Sequence, residues 1–156
     1  MYERILVPLD GSKVGESALL YIENLIPKLL PEVKVEVTLL QVLSKLHPEV
    51  LAGYEVPSIP YIAQEKQALR NKAKNYLDEV GKSLRNKGVM VLSAVAFGDP
   101  SEEIVRVAEE IGADLIGMST DGRSGTSRWA YGSVTDEVLR RSGKVPILVV
   151  RATHPG

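Results

Sequence analysis

A polar loop in the second half of the chain has the residue types that bind phosphate. Between positions 119 and 135 the chain places Gly122, Gly125 and Gly132, and Ser133 follows directly where a helix is predicted to begin. Glycines let backbone amides approach an anion, and a helix N-terminus adds unsatisfied amides and the positive end of its dipole. The same residues equally fit a glycine-rich turn capped by Ser133. The spacing alone therefore leaves a phosphate site and a capped turn both open.

Motifs for other nucleotide folds and for covalent catalysis are not found in the sequence. The turn PLDGSKVGES contains no G-x-G-x-x-G, and G-x-x-x-x-G-K-[ST] does not occur. Ser124 lies in G-R-S-G rather than in a G-x-S-x-G elbow, and the two histidines, His47 and His154, fall in an irregular stretch and in the tail. The sequence thus disfavours a dinucleotide fold, a P-loop NTPase and a hydrolase with a serine nucleophile, and it identifies no catalytic residue.

Length, charge and composition limit the classes of protein further. The 156 residues correspond to one domain, 1–156, with 44% hydrophobic and 25% charged residues. A formal charge of −1 provides no field to hold nucleic acid, and the lack of cysteine excludes disulfides and thiolate metal sites. The start MYERILVPLDGS predicts neither a signal peptide nor a membrane span. We therefore expect a cytoplasmic protein with no membrane or nucleic-acid partner.

The elements that must position the loop begin with a strand, a helix and a second strand. The apolar run 5–7 is ended by Pro8 and by the turn-forming residues 10–12, which predicts a buried strand. Apolar residues at spacings of three and four predict a helix over 14–30, with Pro27 kinking or shortening its last turn. Residues 33–42 alternate and are rich in β-branched side chains, which predicts the second strand.

The rest of the chain continues the alternation. Residues 43–60 carry three prolines and no sustained period, so they predict a long irregular connection. Then follow a helix around 69–84, a strand over 89–97, a helix that Asp99 caps and Gly112 ends, a strand over 115–118, a helix around 134–139 and a closing strand. Such alternation predicts an α/β three-layer sandwich with a five-stranded parallel sheet. Ligands in such folds bind at the carboxyl ends of the strands, near the switch point.

The phosphate-type loop resembles the signature of the universal stress protein family, which reads G-x-x-G, nine residues, then G-[ST]. Gly122 and Gly132 are nine residues apart and Ser133 follows, while Ser119 stands in place of the first glycine. The resemblance extends through RILVPLDGS, TLLQV, AFGDPSEEIVRVAEEIGADLIGMST and GRSGTSRWAYGSVTDEVLRRSGKVPILVV. It implies sheet order 3-2-1-4-5, an adenine-nucleotide alpha-hydrolase-like, Rossmann-like fold and, in the nucleotide-binding branch, ATP over the first and fourth strands.

By position, the resemblance also implies which residues contact the nucleotide. Asp10 would meet the ribose or adenine, the backbone near Val42 would pair with adenine, and Pro8 and Leu9 would line the base pocket. Around the ribose and phosphates it places Met118, Ser119, Gly122, Arg123, Ser124 and Gly125, and facing the phosphate tail it places the amides of Gly132, Ser133 and Val134. Without the resemblance, Asp10 is typical of a turn or N-cap residue.

Two residues depart from the family pattern. Ser119 replaces a glycine, which restricts the backbone, although its hydroxyl can donate a hydrogen bond to the ribose. Asp121 brings a negative charge close to the expected phosphates, and a divalent ion such as Mg²⁺ between them would turn repulsion into bridging. The sequence assigns no metal ligands beyond this hypothesis.

The closing strand, from Val145 to Val150, predicts contact with a second chain. It is strongly apolar, and at a sheet edge its unpaired backbone groups invite another strand. The alternative is an edge protected by the flanking charges of Lys144 and Arg151. Members of the family commonly pair this strand across a two-fold axis, which implies a homodimer.

Three functions remain on these grounds. The first is an ATP-binding stress-response or signalling module that acts by binding. The second is a weak ATPase or autophosphorylating enzyme, for which no catalytic base or magnesium carboxylate can be assigned. The third is a nucleotide-free dimerisation module of the same fold. Flavin binding, another use of this sheet order, predicts a yellow protein.

Overall fold

Five strands form one parallel sheet in the computed structural model, which describes residues 2–43, 46–47, 50–51, 54–55, 59–60, 62–120, 133–141 and 143–152. The strands are β1 (Tyr2–Pro8), β2 (Lys34–Leu43), β3 (Met90–Phe97), β4 (Leu115–Thr120) and β5 (Ile147–Arg151). Their spatial order is β3-β2-β1-β4-β5, and all neighbours are parallel. The predicted fold class and the order 3-2-1-4-5 are confirmed.

Five α-helices connect and cover these strands. They are α1 (Ser17–Leu25), α2 (Ala63–Val80), α3 (Lys82–Asn86), α4 (Pro100–Ile111) and α5 (Ser133–Arg141). The helix predicted over 14–30 is shorter, because 3₁₀ turns at Val14–Glu16 and Ile26–Lys28 flank α1 and the second contains Pro27. Among the described residues, no helix combines the length and the apolar character needed to cross a membrane.

The sheet separates two hydrophobic layers. Along β1, Leu6 packs in the layer that includes residues of α4 and α5, whereas Ile5 and Val7 pack in the layer that includes residues of α1, α2 and α3. Successive side chains of a strand point to opposite faces, so a continuous apolar run is buried on both sides. The sequence pattern of β1 therefore accounts for the predicted three layers.

Helix α1 lies unusually close to β4 because of a glycine. A Cβ built on Gly117 would lie 2.7 Å from Cδ1 of Ile22, and Ile22 itself is fully buried. A real Cβ essentially never makes a contact this short, so a larger residue at position 117 would require the Ile22 side chain to shift. Gly117 thus lets Ile22 of α1 pack directly against the backbone of β4.

The connection predicted to be irregular over 43–60 contains paired strands where it is described. Leu46–His47 pairs antiparallel with Ile59–Pro60, and Val50–Leu51 pairs antiparallel with Tyr54–Glu55. The second pair is nested within the first along the chain, as in a β-hairpin. Strands of two residues leave no run long enough to show period two in the sequence, which is why the pattern did not predict them.

Candidate functional site

The carboxyl ends of β1 and β4 form the switch point of the sheet. The two strands are neighbours, and the helices that follow them lie on opposite faces. Leu19 and Ile22 of α1 pack in one layer, and Val138 of α5 packs in the other. Helices that leave two adjacent strands in opposite directions open a crevice between their loops. The sequence predicts the ligand at this switch point, and the loop after β4 lies outside the described residues, so the site stays a prediction.

Strand β2 extends past β1 and leaves backbone groups open at this crevice. The β1 ladder ends where Pro8 lies opposite Leu40, and the Leu9 amide donates to the Leu40 carbonyl at 2.7 Å. Because alternate residues face the same neighbour, the N–H and C=O of Val42 also point toward the β1 side. The Leu43 carbonyl, in contrast, accepts from Gly98 beyond β3 at 2.8 Å. Within the described part of the chain, Val42 therefore presents one donor and one acceptor beyond the end of β1.

Asp10 closes the turn that follows β1. Its Oδ1 accepts hydrogen bonds from the Ser12 amide at 2.9 Å and from the Ser12 hydroxyl at 2.6 Å. The Ser12 hydroxyl oxygen in turn accepts from the Gly15 amide at 3.0 Å. Both bonds to Asp10 use Oδ1, so this turn does not occupy Oδ2. The turn function expected from residue type is present, and a ligand contact through Oδ2 is compatible with it.

Gly15 has room for no side chain beside that carboxylate. A Cβ at this position would lie 2.7 Å from Oδ1 of Asp10 and 3.2 Å from the hydroxyl oxygen of Ser12. Gly15 itself is buried in the 3₁₀ turn ahead of α1. The close approach of its backbone is therefore part of the geometry that holds Asp10.

Ser119 directs its side chain toward the start of α1 and the 3₁₀ turn before it. Its hydroxyl donates to the Gly15 carbonyl at 2.9 Å and accepts from the Ala18 amide at 2.8 Å, and the residue is 5% exposed. A serine hydroxyl has one proton, so donation to a ribose requires breaking the bond to Gly15. The contact predicted for Ser119 with the nucleotide stays a prediction, and its backbone atoms are the ones free to make it.

The other residues that the sequence predicts at the site differ in how exposed their side chains are. Leu9 and Met118 are 0% and 1% exposed and their side chains belong to the core, and Pro8 is also buried. At α5, Ser133 is exposed at the first position, and Val134 packs partly against the core. The lining roles expected for Pro8, Leu9 and Met118 stay predictions.

The predicted phosphate residues lie outside the described residues. These are Gly122, Arg123, Ser124, Gly125 and Gly132, together with Asp121, for which the magnesium hypothesis was made. Within the described ranges, no cluster of three or more His, Asp or Glu side chains is arranged to hold a metal ion. These contacts stay predictions.

A cavity lies on the α2 side of the Asp10 turn. Its volume is about 320 Å³, and its lining includes Gly11, Gln41, Lys72 and Tyr76. The Tyr76 hydroxyl donates to Oε2 of Glu16 at 3.0 Å. Burial, followed by this bond, raises the pKa of Tyr76, so the phenol keeps its proton and continues to brace the 3₁₀ turn.

The match to known proteins agrees with this geometry. The model of the universal stress protein family matches residues 1–151. The chain belongs to this family. Universal stress protein MJ0577 of Methanocaldococcus jannaschii is 32% identical to it over 97% of this chain and 96% of the relative. The solved structure of MJ0577 matches with a TM-score of 0.71 at 29% identity, covering 99% of each chain.

Two more distant structures share the fold of this universal stress protein. A universal stress protein solved in complex with cAMP matches with a TM-score of 0.62 at 19% identity, covering 97% of this chain and 98% of its own. A family protein from Arabidopsis thaliana solved with AMP bound matches with a TM-score of 0.64 at 13% identity, covering 97% and 92%. At these identities the likeness is one of fold.

Sequence reasoning missed three residues of the site. Ser12 is predictable from D-G-S, because a serine two residues after an aspartate commonly bonds back to it. Gly15 has no such signal in the sequence. Thr135, in the first turn of α5, is 6% exposed, and its hydroxyl has no hydrogen-bond partner among the residues that the structure describes. No pattern in the sequence marks this threonine as a residue of the site.

Proposed function

We propose that this universal stress protein binds an adenine nucleotide, with ATP as the preferred ligand, in the crevice between β1 and β4. The observation that carries the proposal is the open pair of backbone groups at Val42. The Watson–Crick edge of adenine has an acceptor beside an amino donor, which complements one N–H and one C=O. The AMP and cAMP complexes of proteins with this fold support the same class of ligand.

The sugar and phosphates have matching groups nearby. Oδ2 of Asp10 offers a charged acceptor for ribose hydroxyls, while Oδ1 is held by Ser12. The start of α5 at Ser133 offers amides and the positive end of a helix dipole. We propose that the glycines at 122, 125 and 132, with Arg123 and Ser124, complete the phosphate contacts, with Mg²⁺ as a further component.

The proposed mode of action is binding rather than turnover. ATP occupancy would change the surface that the protein offers in stress response or signalling in the cytoplasm. The alternative is slow hydrolysis or autophosphorylation. Phosphate release from the pure protein with magnesium separates the two, because turnover well above about 1 per minute would favour the enzyme, although even this is slow for enzymes in general.

Calorimetric titration and thermal unfolding with ATP test the binding. At ATP concentrations about 100-fold above Kd, binding adds about 2.7 kcal/mol to the free energy of unfolding, which raises Tm by roughly 5–11 °C. Neither heat nor a Tm shift at millimolar ATP would contradict the proposal and favour the nucleotide-free module. Mass spectrometry of small molecules released from fresh protein identifies a co-purified nucleotide.

Inosine triphosphate tests the part of Val42. Inosine presents a carbonyl and an N–H where adenine presents an amino group and an acceptor, so both contacts would be reversed. We expect it to bind about 100-fold more weakly, because two buried polar groups are left unpaired. Equal affinity for ATP and inosine triphosphate would reject recognition at Val42 while leaving nucleotide binding in place.

We also propose a homodimer through β5. This strand lies at the edge of the sheet, and Val149 on β5 and Leu139 on α5 are 41% and 51% exposed. Pairing with a second copy would satisfy the open edge and cover apolar surface.

The dimer is tested with matched substitutions at the two edges of the sheet. Val149→Lys should convert a dimer to a monomer in light scattering. Leu92→Lys, at a residue 48% exposed on the opposite edge strand β3, should leave the dimer intact. Monomeric wild-type protein, or a dimer lost only with Leu92→Lys, would contradict pairing through β5.

A further inference from the structure

A continuous chain of hydrogen bonds connects β4 to the carboxylate of Asp10. The Ala18 amide donates to the Ser119 hydroxyl, which donates to the Gly15 carbonyl. The amide of the same Gly15 donates to the Ser12 hydroxyl, which donates to Asp10 Oδ1. Each hydroxyl gives its single proton in one direction, so all links can exist at once.

We propose that Ser119 is a positioning residue that orients the Asp10 carboxylate for the nucleotide. The proposal rests on the proposed nucleotide site and adds to it a residue that acts from the opposite side of the crevice. A glycine at position 119, as in the family signature, has no side chain to make this connection. The orientation of Asp10 is therefore set differently in this chain than the signature alone predicts.

The direction of the Ser119 side chain follows from strand geometry. Gly117 of β4 faces Ile22 of α1, and residues two apart on a strand share a face. Ser119 therefore faces the start of α1, where it is 5% exposed and both its hydrogen bonds are shielded from water. Losing a hydrogen bond in such surroundings is costly, because the group that is left unpaired cannot bond to water instead.

The first turn of α1 depends on Ser119, because the nearby side chain that caps this region, Ser12, bonds to the Gly15 amide in the preceding 3₁₀ turn and not to α1. The residues at the N-cap positions of the 3₁₀ turn and of α1, Lys13 and Glu16, make no side-chain capping bond. The Ala18 amide in the first turn is instead satisfied by Ser119 across 101 positions. Loss of the hydroxyl therefore removes the hydrogen-bond partner of two backbone groups at once, the Gly15 carbonyl and the Ala18 amide.

The test compares Ser119→Ala with Ser119→Thr, and uses Ser101→Ala as the matched control. Ser101 is a buried serine, 2% exposed, in the first turn of α4. Three quantities are measured: the χ1 rotamer of Asp10 from NMR couplings, amide hydrogen exchange at Ser12 and Gly15, and affinity for ATP. The first two need no nucleotide.

We expect that in Ser119→Ala χ1 of Asp10 averages over more than one rotamer and that amide hydrogen exchange at Ser12 and Gly15 becomes about 10-fold faster. ATP binding should weaken about 3- to 10-fold. Ser119→Thr should restore all three, and Ser101→Ala should change none of them. A merely structural role would lower Tm in both alanine variants without moving Asp10.

The results separate failure of this inference from failure of the proposed function. Unchanged χ1 and exchange in Ser119→Ala would overturn the inference, whatever the nucleotide does. Altered χ1 with unchanged ATP affinity, where Asp10→Asn weakens binding, would also overturn it. Altered χ1 in Ser119→Ala, together with a wild-type protein that binds no nucleotide, would support the positioning of Asp10 and reject the nucleotide site.

Discussion

The turns after β1 and β3 start alike and are completed differently. Each has an aspartate followed two residues later by a serine whose hydroxyl lies within hydrogen-bonding distance of its carboxylate, at 2.6 Å for Asp10 and Ser12 and 2.8 Å for Asp99 and Ser101. Asp99 also accepts from the Glu102 amide at 3.1 Å and so caps α4 directly. Asp10 caps no helix.

This difference separates a structural turn from one available for a ligand. The turn before α4 satisfies its helix with residues next to each other in sequence. The turn before α1 satisfies its helix through Ser119 and leaves Asp10 Oδ2 outside its own bonds. An aspartate followed two residues later by a serine therefore does not predict one role. The two turns differ in which residue bonds to the first amides of the helix that follows.

The largest effect is expected when the two aspartates are exchanged for asparagine. Asp10→Asn keeps an acceptor for Ser12 but removes the charge, so ATP affinity should fall roughly 10- to 100-fold. Asp99→Asn should leave affinity unchanged, and calorimetric titration measures both. Equal losses in the two variants would remove the distinction between the turns.

A methyl group at Gly15 should disturb the first turn alone. Gly15→Ala places a Cβ against Asp10 Oδ1, so the carboxylate must shift and ATP affinity should fall about 10-fold. The control is Gly143→Ala, where φ is +61° and the added Cβ meets nothing within 4 Å. That variant should lose about 1 kcal/mol of stability through backbone strain and keep its affinity. Normal binding by Gly15→Ala would show that Asp10 need not stay in place.

Removing the cap of α4 should lower stability and spare binding. Asp99→Ala should cost about 1 kcal/mol of unfolding free energy, or roughly 2–4 °C in Tm. Asp99→Asn is the matched control, because asparagine caps a helix nearly as well. Urea unfolding measures both variants, and an equal loss in the two would mean that charge rather than the cap bond stabilises α4.

The smallest expected effect is the pH dependence of that charge. The Glu102 amide, followed by the Ser101 hydroxyl, lowers the pKa of Asp99. The Asp99 carboxylate therefore contributes its full stabilisation above the unfolded-state pKa of about 3.9, and this stabilisation is lost as the pH falls through the folded-state pKa. The stability difference between wild type and Asp99→Asn should shrink below about pH 4. A difference that grows on acidification would contradict the lowered pKa.

The fold was predictable because its signals are local. The apolar runs gave the five strands, and D-P-S-E with Gly112 gave the start and end of α4, where Gly112 adopts a φ of +66°. Pro27 was correctly placed at the weakened end of the first helix. Each of these follows from residues within a few positions of one another, for which residue type and spacing are sufficient.

The site was predictable only in part because its geometry is non-local. The family pattern placed Asp10, Val42 and Ser119 at the crevice, but Ser119 was expected to face the ribose. Its partner Gly15 is 104 positions away, and the contact depends on how closely α1 packs on β4. The open groups of Val42 likewise arise from the different lengths of two strands, which no residue type encodes.

The missing side chain at Gly117 makes the two walls of the crevice mechanically unequal. With Ile22 seated against the bare backbone of β4 and Ser119 bonded to the turn above it, the α1 wall moves only together with the sheet. Helix α5 packs on α4 as well as on the sheet, so the two helices beside the switch point are held by different partners.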